Sequence, residues 1–283
     1  MSDDLACWTC GTTAVPDTRF PNLGYVRCPA CDLVFAPSSS QERLRELYGE
    51  AYFEDYGLEG AYDADADQRR REAQVRVRWL REAGPPIGQL LEIGCASGWF
   101  LAEARAVGYE VVGIEPAQEM AVVARRRSGA EVHAAMLEDS SLPPASFDVA
   151  VAWHVLEHLA QPRDTLTAVR AALRPGGRLL LELPNIASLR AARQGEDWYG
   201  MEPAHHVAHY SPQALDALLR ASGYVPEVVE SVHPGTLLGG REAFGPRGLA
   251  FHVKETLGAR AWMRAAHPWK FDLLRAVARV PSG

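Results

Sequence analysis

Two cysteine pairs open the chain, Cys7-Trp8-Thr9-Cys10 and Cys28-Pro29-Ala30-Cys31, with residues 11–27 between them. Two residues inside each pair let both thiolates reach one ion, and four thiolates form the closed tetrahedral shell of a structural zinc site. So short a segment has little core, so the ion would supply much of its folding free energy. A different chemistry is written at Glu92-Ile93-Gly94-Cys95-Ala96-Ser97-Gly98, where an apolar run ends and Trp99 to Arg105 opens a helix. Strand, tight turn and helix N-terminus together bring backbone N–H groups up to a ligand. Gly94 and Gly98 can take φ > 0 and leave room for that approach. Tyr109 to Glu115 then reads as a second strand ending in a carboxylate. That acid lies about 20 residues beyond the turn, where a nucleoside-binding unit places the acceptor for ribose hydroxyls.

Histidines mark two further stretches, His154-Val155-Leu156-Glu157-His158 and His205-His206-Val207-Ala208-His209-Tyr210-Ser211. An imidazole titrating near neutrality suits a general base. The first stretch fits H-x-x-E-H, the inverted zinc-protease pattern, which requires a long supported helix. Here a strand feeds straight into it and Pro162 follows soon after, so a protease is not expected there; a divalent ion near Glu157 stays open as the alternative to none.

The elements that must position these groups follow from periodicity and punctuation. Residues 85–185 alternate strand and helix, which implies a mostly parallel sheet covered on both faces. The strands fall at 89–93, 109–114, 131–135, 147–153 and 177–183, and Pro116 is placed at the first position of a helix. Leu173-Arg174-Pro175-Gly176-Gly177 reads as a helix stop, and Ser211-Pro212 caps a helix over 213–222 that ends at Gly223. A sixth strand is expected over 225–232 and a seventh over 249–254, with a Gly/Pro-rich loop between them. Upstream, a helix over 41–48 and an aromatic cluster (Tyr48, Tyr52, Phe53, Tyr56, Tyr62) precede a charged helix over 65–83. Its arginines, Arg76 among them, read as a solvated face because acids interleave with them. The tail from 256 reads as an amphipathic helix.

Taken together, the acid and spaced glycines of 92–98, Phe147-Asp148, the 154–159 segment, Arg174 to Gly177 and Pro184-Asn185 resemble the class I S-adenosylmethionine-dependent methyltransferases. The resemblance covers about residues 85–225, with Ala96 standing where the middle glycine is usual. It implies a seven-stranded, mostly parallel Rossmann-like α/β sheet with helices on both faces, beside a small N-terminal zinc ribbon. The implied division is a ribbon over 1–36, a helical linker or lid over 37–84, the methyltransferase domain over 85–255 and a helical tail over 256–283. In that family Glu92, Gly94, Cys95, Ala96 and Gly98 would cradle the methionine end of the cofactor. Glu115 and Pro116 would hold the ribose, Leu137 and Glu138 border the adenine, and Trp153 and His154 close over it. The histidine stretch is similar to that of sugar and natural-product methyltransferases carrying an N-terminal zinc module. It implies His206 as base, with His205 second; in the sugar C-methyltransferases a glutamate stands at the position of His205.

Composition narrows the partners. A formal charge of −7 gives no global attraction to nucleic acid or an anionic membrane. An acidic N-terminus without an apolar run, and no long apolar stretch, place the chain in the cytoplasm, as do paired cysteines suited to a metal in a reducing compartment. The expected activity is methyl transfer to a hydroxyl of a sugar or natural-product intermediate, by a monomer or homodimer carrying S-adenosylmethionine and one structural Zn2+. Two alternatives remain: an RNA methyltransferase with a ribbon reader, and a protein of this fold that transfers no methyl group.

Overall fold

The computed structural model describes residues 5–39, 42, 65–232 and 271–282. The expected helix at 41–48, the aromatic cluster of 48–62, the strand at 249–254 and the first part of the tail lie outside the described residues.

The N-terminal segment forms three two-residue strands, β1 (Val15–Pro16), β2 (Val26–Arg27) and β3 (Val34–Phe35), paired antiparallel. The long charged helix α1 (Ala66–Ala83) follows, capped by the Asp65 side chain. Strand β4 (Gln89–Ile93), helix α2 (Trp99–Ala106), strand β5 (Glu110–Ile114), helix α3 (Gln118–Ser128) and strand β6 (Glu131–His133) then alternate. Next come strand β7 (Phe147–Trp153), helix α4 (Pro162–Ala172) and strand β8 (Leu173–Pro184). Helix α5 (Leu189–Gln194), strand β9 (Ala208–His209), helix α6 (Pro212–Ala221), strand β10 (Val225–Val232) and strand β11 (Leu273–Arg279) complete the order. No helix among the described residues is long and apolar enough to cross a membrane.

The large sheet has seven strands in the order β10-β11-β8-β7-β4-β5-β6, and only β11 runs against its neighbours. Alternation within each strand feeds two cores. Leu90, Val111, Val149, Val151 and Leu180 face α1, α2 and α3, whereas Leu91, Ala150, Ala152, Leu179 and Leu181 face α4 and α6. The parallel strands are buried on both faces, which is why they read as continuous apolar runs. The chain leaves β4 towards β5 and β6, then returns to the other side of β4 with β7. The carboxyl ends of β4 and β7 thus bound the crevice where an open α/β sheet takes its ligand.

Two expectations need correction. Residues 273–279, placed in a helical tail, are instead the strand β11 between β8 and β10. The antiparallel strand of the sheet is therefore this one. Helix α3 begins at Gln118 behind Ala117, so Pro116 lies before the cap rather than at the first helical position. The N-terminal strands also join the segment before α6: β3 pairs with β9, Val34 opposite His209 and Phe35 opposite Ala208.

Strand β11 sits inside the sheet with Leu274, Ala276 and Ala278 fully buried. Ending the chain at residue 271 leaves β8 and β10 without their common partner and exposes both. We expect that truncation to abolish the cooperative thermal transition seen by circular dichroism. A dispensable tail would leave the transition in place.

Candidate functional site

The turn after β4 is stitched to the end of β5. The amides of Gly94 and Cys95 both donate to the Ile114 carbonyl, at 2.8 and 3.0 Å. Gly94 and Gly98 hold φ +67° and +79°, and a Cβ on Gly98 would come within 2.8 Å of the Ala124 backbone. Ala96 takes φ +44°, a left-handed conformation that costs an L residue about 1 kcal/mol or more. What holds it is Glu115. One carboxylate oxygen accepts from the Ala96 amide at 2.8 Å and the other from the Ala117 amide at 3.0 Å, just ahead of α3.

Beside this turn opens a cleft of about 280 Å³. Its walls carry Gly94, Ala96, Glu115, Pro116, Leu137, Glu138, Trp153 and His154, all expected from the sequence. Glu92 and Cys95 line a smaller adjoining hollow that also meets Trp153. Gly98 lies on neither wall; it sets the turn by packing against Ala124. Two orphaned groups border the hollow: among the described residues, Glu92 Oε2 and Trp153 Nε1 are buried without a hydrogen-bond partner. A buried acceptor and a buried donor left unpaired are costly unless a ligand satisfies them.

Burial sets the charge of these acids. It raises the Glu115 carboxyl to about 7, with the Ala117 and Ala96 amides pulling the other way. It also pushes Glu92 well above the usual range; Arg76 opposes the shift and Glu115 adds to it. Glu182, on β8, ends below its ordinary value because Arg76 and Arg275 outweigh its burial. Arg76 donates to Glu182 Oε1 from Nε at 3.0 Å and from Nη2 at 2.8 Å, and Arg275 Nε donates to Oε2 at 2.8 Å.

The sequence therefore misjudged Arg76. It is no solvated residue: it lies over the Trp153 ring at 5.6 Å and forms part of the cleft wall, as Arg69 does. Its signal was helical phase, since Ala73, Val77 and Leu80 are the buried residues of α1 and Arg76 lies beside that stripe. Arg275 went unnoticed because its strand did. Thr165 also reaches the wall, donating to Glu138 Oε1 at 2.5 Å.

The histidines divide. His154 and His158 line the cleft. His154 holds φ +56°, and its Nδ1 lies 3.2 Å from Glu157 Oε1. Leu156–His158 is a single 3-10 turn, too short for a zinc-protease helix. His205 and His206 are on neither wall. His206 is buried, with Nδ1 2.9 Å from the Gly200 carbonyl and Nε2 3.2 Å from Glu202.

The four cysteines meet at the other end of this region. Cys7 and Cys31 approach to 3.5 Å between sulfurs, as do Cys10 and Cys28, and all four sulfurs lie within 4.8 Å of one another. Sulfurs on a tetrahedral zinc ion are about 3.8 Å apart, so the set fits one. A thiol hydrogen bond from Cys31 holds Cys7 down at about 5, and the same contact with burial drives Cys31 up. So tight a group cannot ionise fully without a cation among its sulfurs.

Comparison with known proteins agrees with this geometry. A family profile described as "Methyltransferase domain" matches residues 66–229. The chain is 30% identical over 186 residues to the ubiquinone biosynthesis O-methyltransferase of Xanthomonas axonopodis pv. citri, covering 60% of this chain and 78% of that protein. Among solved structures it is similar to the Burkholderia thailandensis 1,6-didemethyltoxoflavin-N1-methyltransferase bound to 1,6-didemethyltoxoflavin and S-adenosylhomocysteine. The TM-score is 0.55 at 16% identity, over 90% of this chain and 98% of that one. A possible histamine N-methyltransferase from Thermotoga maritima gives 0.54 at 18% identity, over 81% and 98%.

Gly98→Ala tests the turn. The new Cβ meets backbone in a left-handed conformation, so urea unfolding should show a loss of about 1–3 kcal/mol. An unchanged midpoint would mean the turn can relax.

Proposed function

The chain belongs to the methyltransferase-domain family and has the fold of the S-adenosylmethionine-dependent enzymes, and on that premise we propose that it methylates a hydroxyl of a small molecule. A sugar or natural-product intermediate is the proposed acceptor, and S-adenosylmethionine the proposed donor. The observation that carries the reading is Glu115. A carboxylate buried at the tip of β5, held against the glycine turn and lining the cleft, would accept from two ribose hydroxyls.

The rest of the cofactor finds fitting partners. Leu137 and Glu138 would flank the adenine. The turn 94–96 leaves room for the methionine end, where the unpaired Glu92 oxygen suits an ammonium group and the Trp153 N–H suits a carboxylate. The sulfonium is its own electrophile, so the chain need only align the acceptor oxygen with the methyl group and exclude water. An oxygen acceptor is supported by the name of the Xanthomonas relative, and a small one by the acidic balance of the chain, which weighs against RNA. The base role expected for His206 or His205 draws no support from the cleft, whose walls carry His154 and His158 instead.

Zinc is proposed for the cysteine cluster, as a structural ion. Its loss would reach beyond the ribbon: β3 pairs with β9, and the Tyr25 hydroxyl donates to the His206 carbonyl at 2.9 Å. Cys28→Ser is expected to lose the thiolate-bound zinc, seen by elemental analysis, and to lower the melting temperature. Retention of that zinc would dismiss the assignment.

Cofactor binding should depend on pH in one direction. With the Glu115 carboxyl near 7 in the empty protein, the ionised form that accepts from ribose grows as pH rises, and binding releases a proton. Calorimetry with S-adenosylhomocysteine should show affinity rising from about pH 6 and flattening above about pH 8. In Glu115→Gln the affinity should fall about tenfold, as expected on losing hydrogen bonds to a charged group, and the pH dependence should weaken. Equal affinity in the two proteins would sink the cofactor assignment.

A further inference from the structure

A second strained residue of the cleft wall, after Ala96, is a histidine. His154 holds φ +56°, a left-handed conformation that an L side chain adopts only under constraint. Its amide donates to the Glu182 carbonyl at 2.8 Å, and its Nδ1 lies 3.2 Å from Glu157 Oε1. From this arrangement we propose that His154 Nε2 is the base that takes the proton of the acceptor hydroxyl, with Glu157 as its positioning carboxylate. The inference rests on the methyl-transfer reading above.

Chain order places the ring beside the reacting atoms. Val155, next along, packs on the glycine turn so closely that a Cβ on Gly94 would meet its Cγ2 at 2.7 Å. Trp153, just before, lines both the cleft and the hollow assigned to the methionine end. The cofactor's sulfur joins its nucleoside and methionine ends, so it must pass where cleft meets hollow. His154 stands on the cleft wall between the two neighbours that mark this point. Its side chain keeps 36% of its surface exposed, whereas that of Glu157 behind it keeps 1%.

The hydrogen bonding leaves the right nitrogen open. A carboxylate only accepts, so His154 Nδ1 carries the proton and Nε2 the lone pair. Nε2 is 3.7 Å from Glu182 Oε1, beyond hydrogen-bond reach, and that oxygen already accepts twice from Arg76. The lone pair is thus left for a donor from the cleft. Burial pushes the Glu157 carboxyl up, but the hydrogen bond from His154 and the nearby imidazoles outweigh it and hold it at about 2. Glu157 is therefore an anion at neutral pH, and it steadies the imidazolium that forms when Nε2 takes a proton. The other charged or titratable groups packed here are His158 on the same turn, Glu182 on β8, Arg76 on α1 and Arg275 on β11. Both arginines are held on Glu182. His158 is the poorer base, because burial drives it down to about 4. In the step itself the acceptor O–H bond breaks towards Nε2 as the oxygen bonds the methyl carbon. The carbon–sulfur bond breaks with its electron pair staying on sulfur, and the imidazolium then returns its proton to water.

The test follows the His154 ring by NMR in the full chain, with S-adenosylmethionine or S-adenosylhomocysteine bound. His154→Gln identifies the ring signals by their loss. Donor labelled with 13C in its methyl group is expected to show a nuclear Overhauser contact between that methyl and the His154 ring. The sulfonium charge, absent from S-adenosylhomocysteine, should lower the His154 titration midpoint by at least about half a pH unit, as a unit charge about 5 Å away does. With S-adenosylhomocysteine bound, Glu157→Gln should lower that midpoint by about one pH unit or more. A histidine held there for structure alone would titrate identically with the two ligands. Equal midpoints in the wild type, a missing methyl contact, or a midpoint indifferent to Glu157→Gln would overturn the proposal. Should Glu157→Gln fail to fold, the two wild-type measurements decide by themselves. Failure of both ligands to bind would instead defeat the methyl-transfer reading on which the proposal stands.

Discussion

One carboxylate holds the centre of this molecule together. Glu115 accepts from Ala96 on one oxygen and from Ala117 on the other, and so clamps the loop after β4 to the loop after β5. That clamp helps keep an alanine at φ +44° in a turn where glycine would sit without strain. The clamp is expensive by itself, since the group is 4% exposed and its charged form is penalised by burial. Two backbone donors offset part of that penalty. The remainder leaves an acid of intermediate strength on the wall of the cleft.

A second dependence runs from the cysteine cluster to the histidines. The ribbon is too small to fold on its own burial, and its core residues Leu33 and Phe35 belong to the same apolar cluster as Tyr210 and Leu215. The strand it lends to the body, β3, pairs with the two residues that close the histidine stretch. Ala36 donates to the Val207 carbonyl at 2.9 Å, and Val207 in turn donates to the Glu157 carbonyl at 2.8 Å. The segment 205–209 is therefore gripped from both sides, by the ribbon and by the turn after β7. A ribbon joined in this way fixes where those histidines lie.

How much of this was legible follows from range. Strands β4, β7 and β10 match their expected limits because their apolar runs and flanking turn residues are local signals. The glycine turn and its partner acid were legible because spacing within one βαβ unit fixes them. Strand β11 was not: Leu-Leu-Arg-Ala-Val-Ala-Arg places a charge where a buried strand should have none, and the remote Glu182 makes Arg275 tolerable there. Arg76 was obscured for the same reason, one arginine among many on a helix, distinguished by a carboxylate 106 residues away.

Those two arginines also show what the hidden strand contributes. Replacing a buried ion cluster by well-packed apolar side chains is often neutral or stabilising, so stability is a weak reason for Arg76, Glu182 and Arg275. Position is a better one. Arg275 lies over the Trp79 ring at 4.5 Å and Arg76 over Trp153 at 5.6 Å, while the two tryptophans approach to 5.7 Å. Glu182 thus fixes two guanidinium groups that in turn seat two indoles, and Trp153 forms part of the cleft wall. An apolar substitute could fill the volume, but it could not aim both rings at once. The charge that disguised β11 in the sequence is what lets a strand from the far end of the chain shape the site.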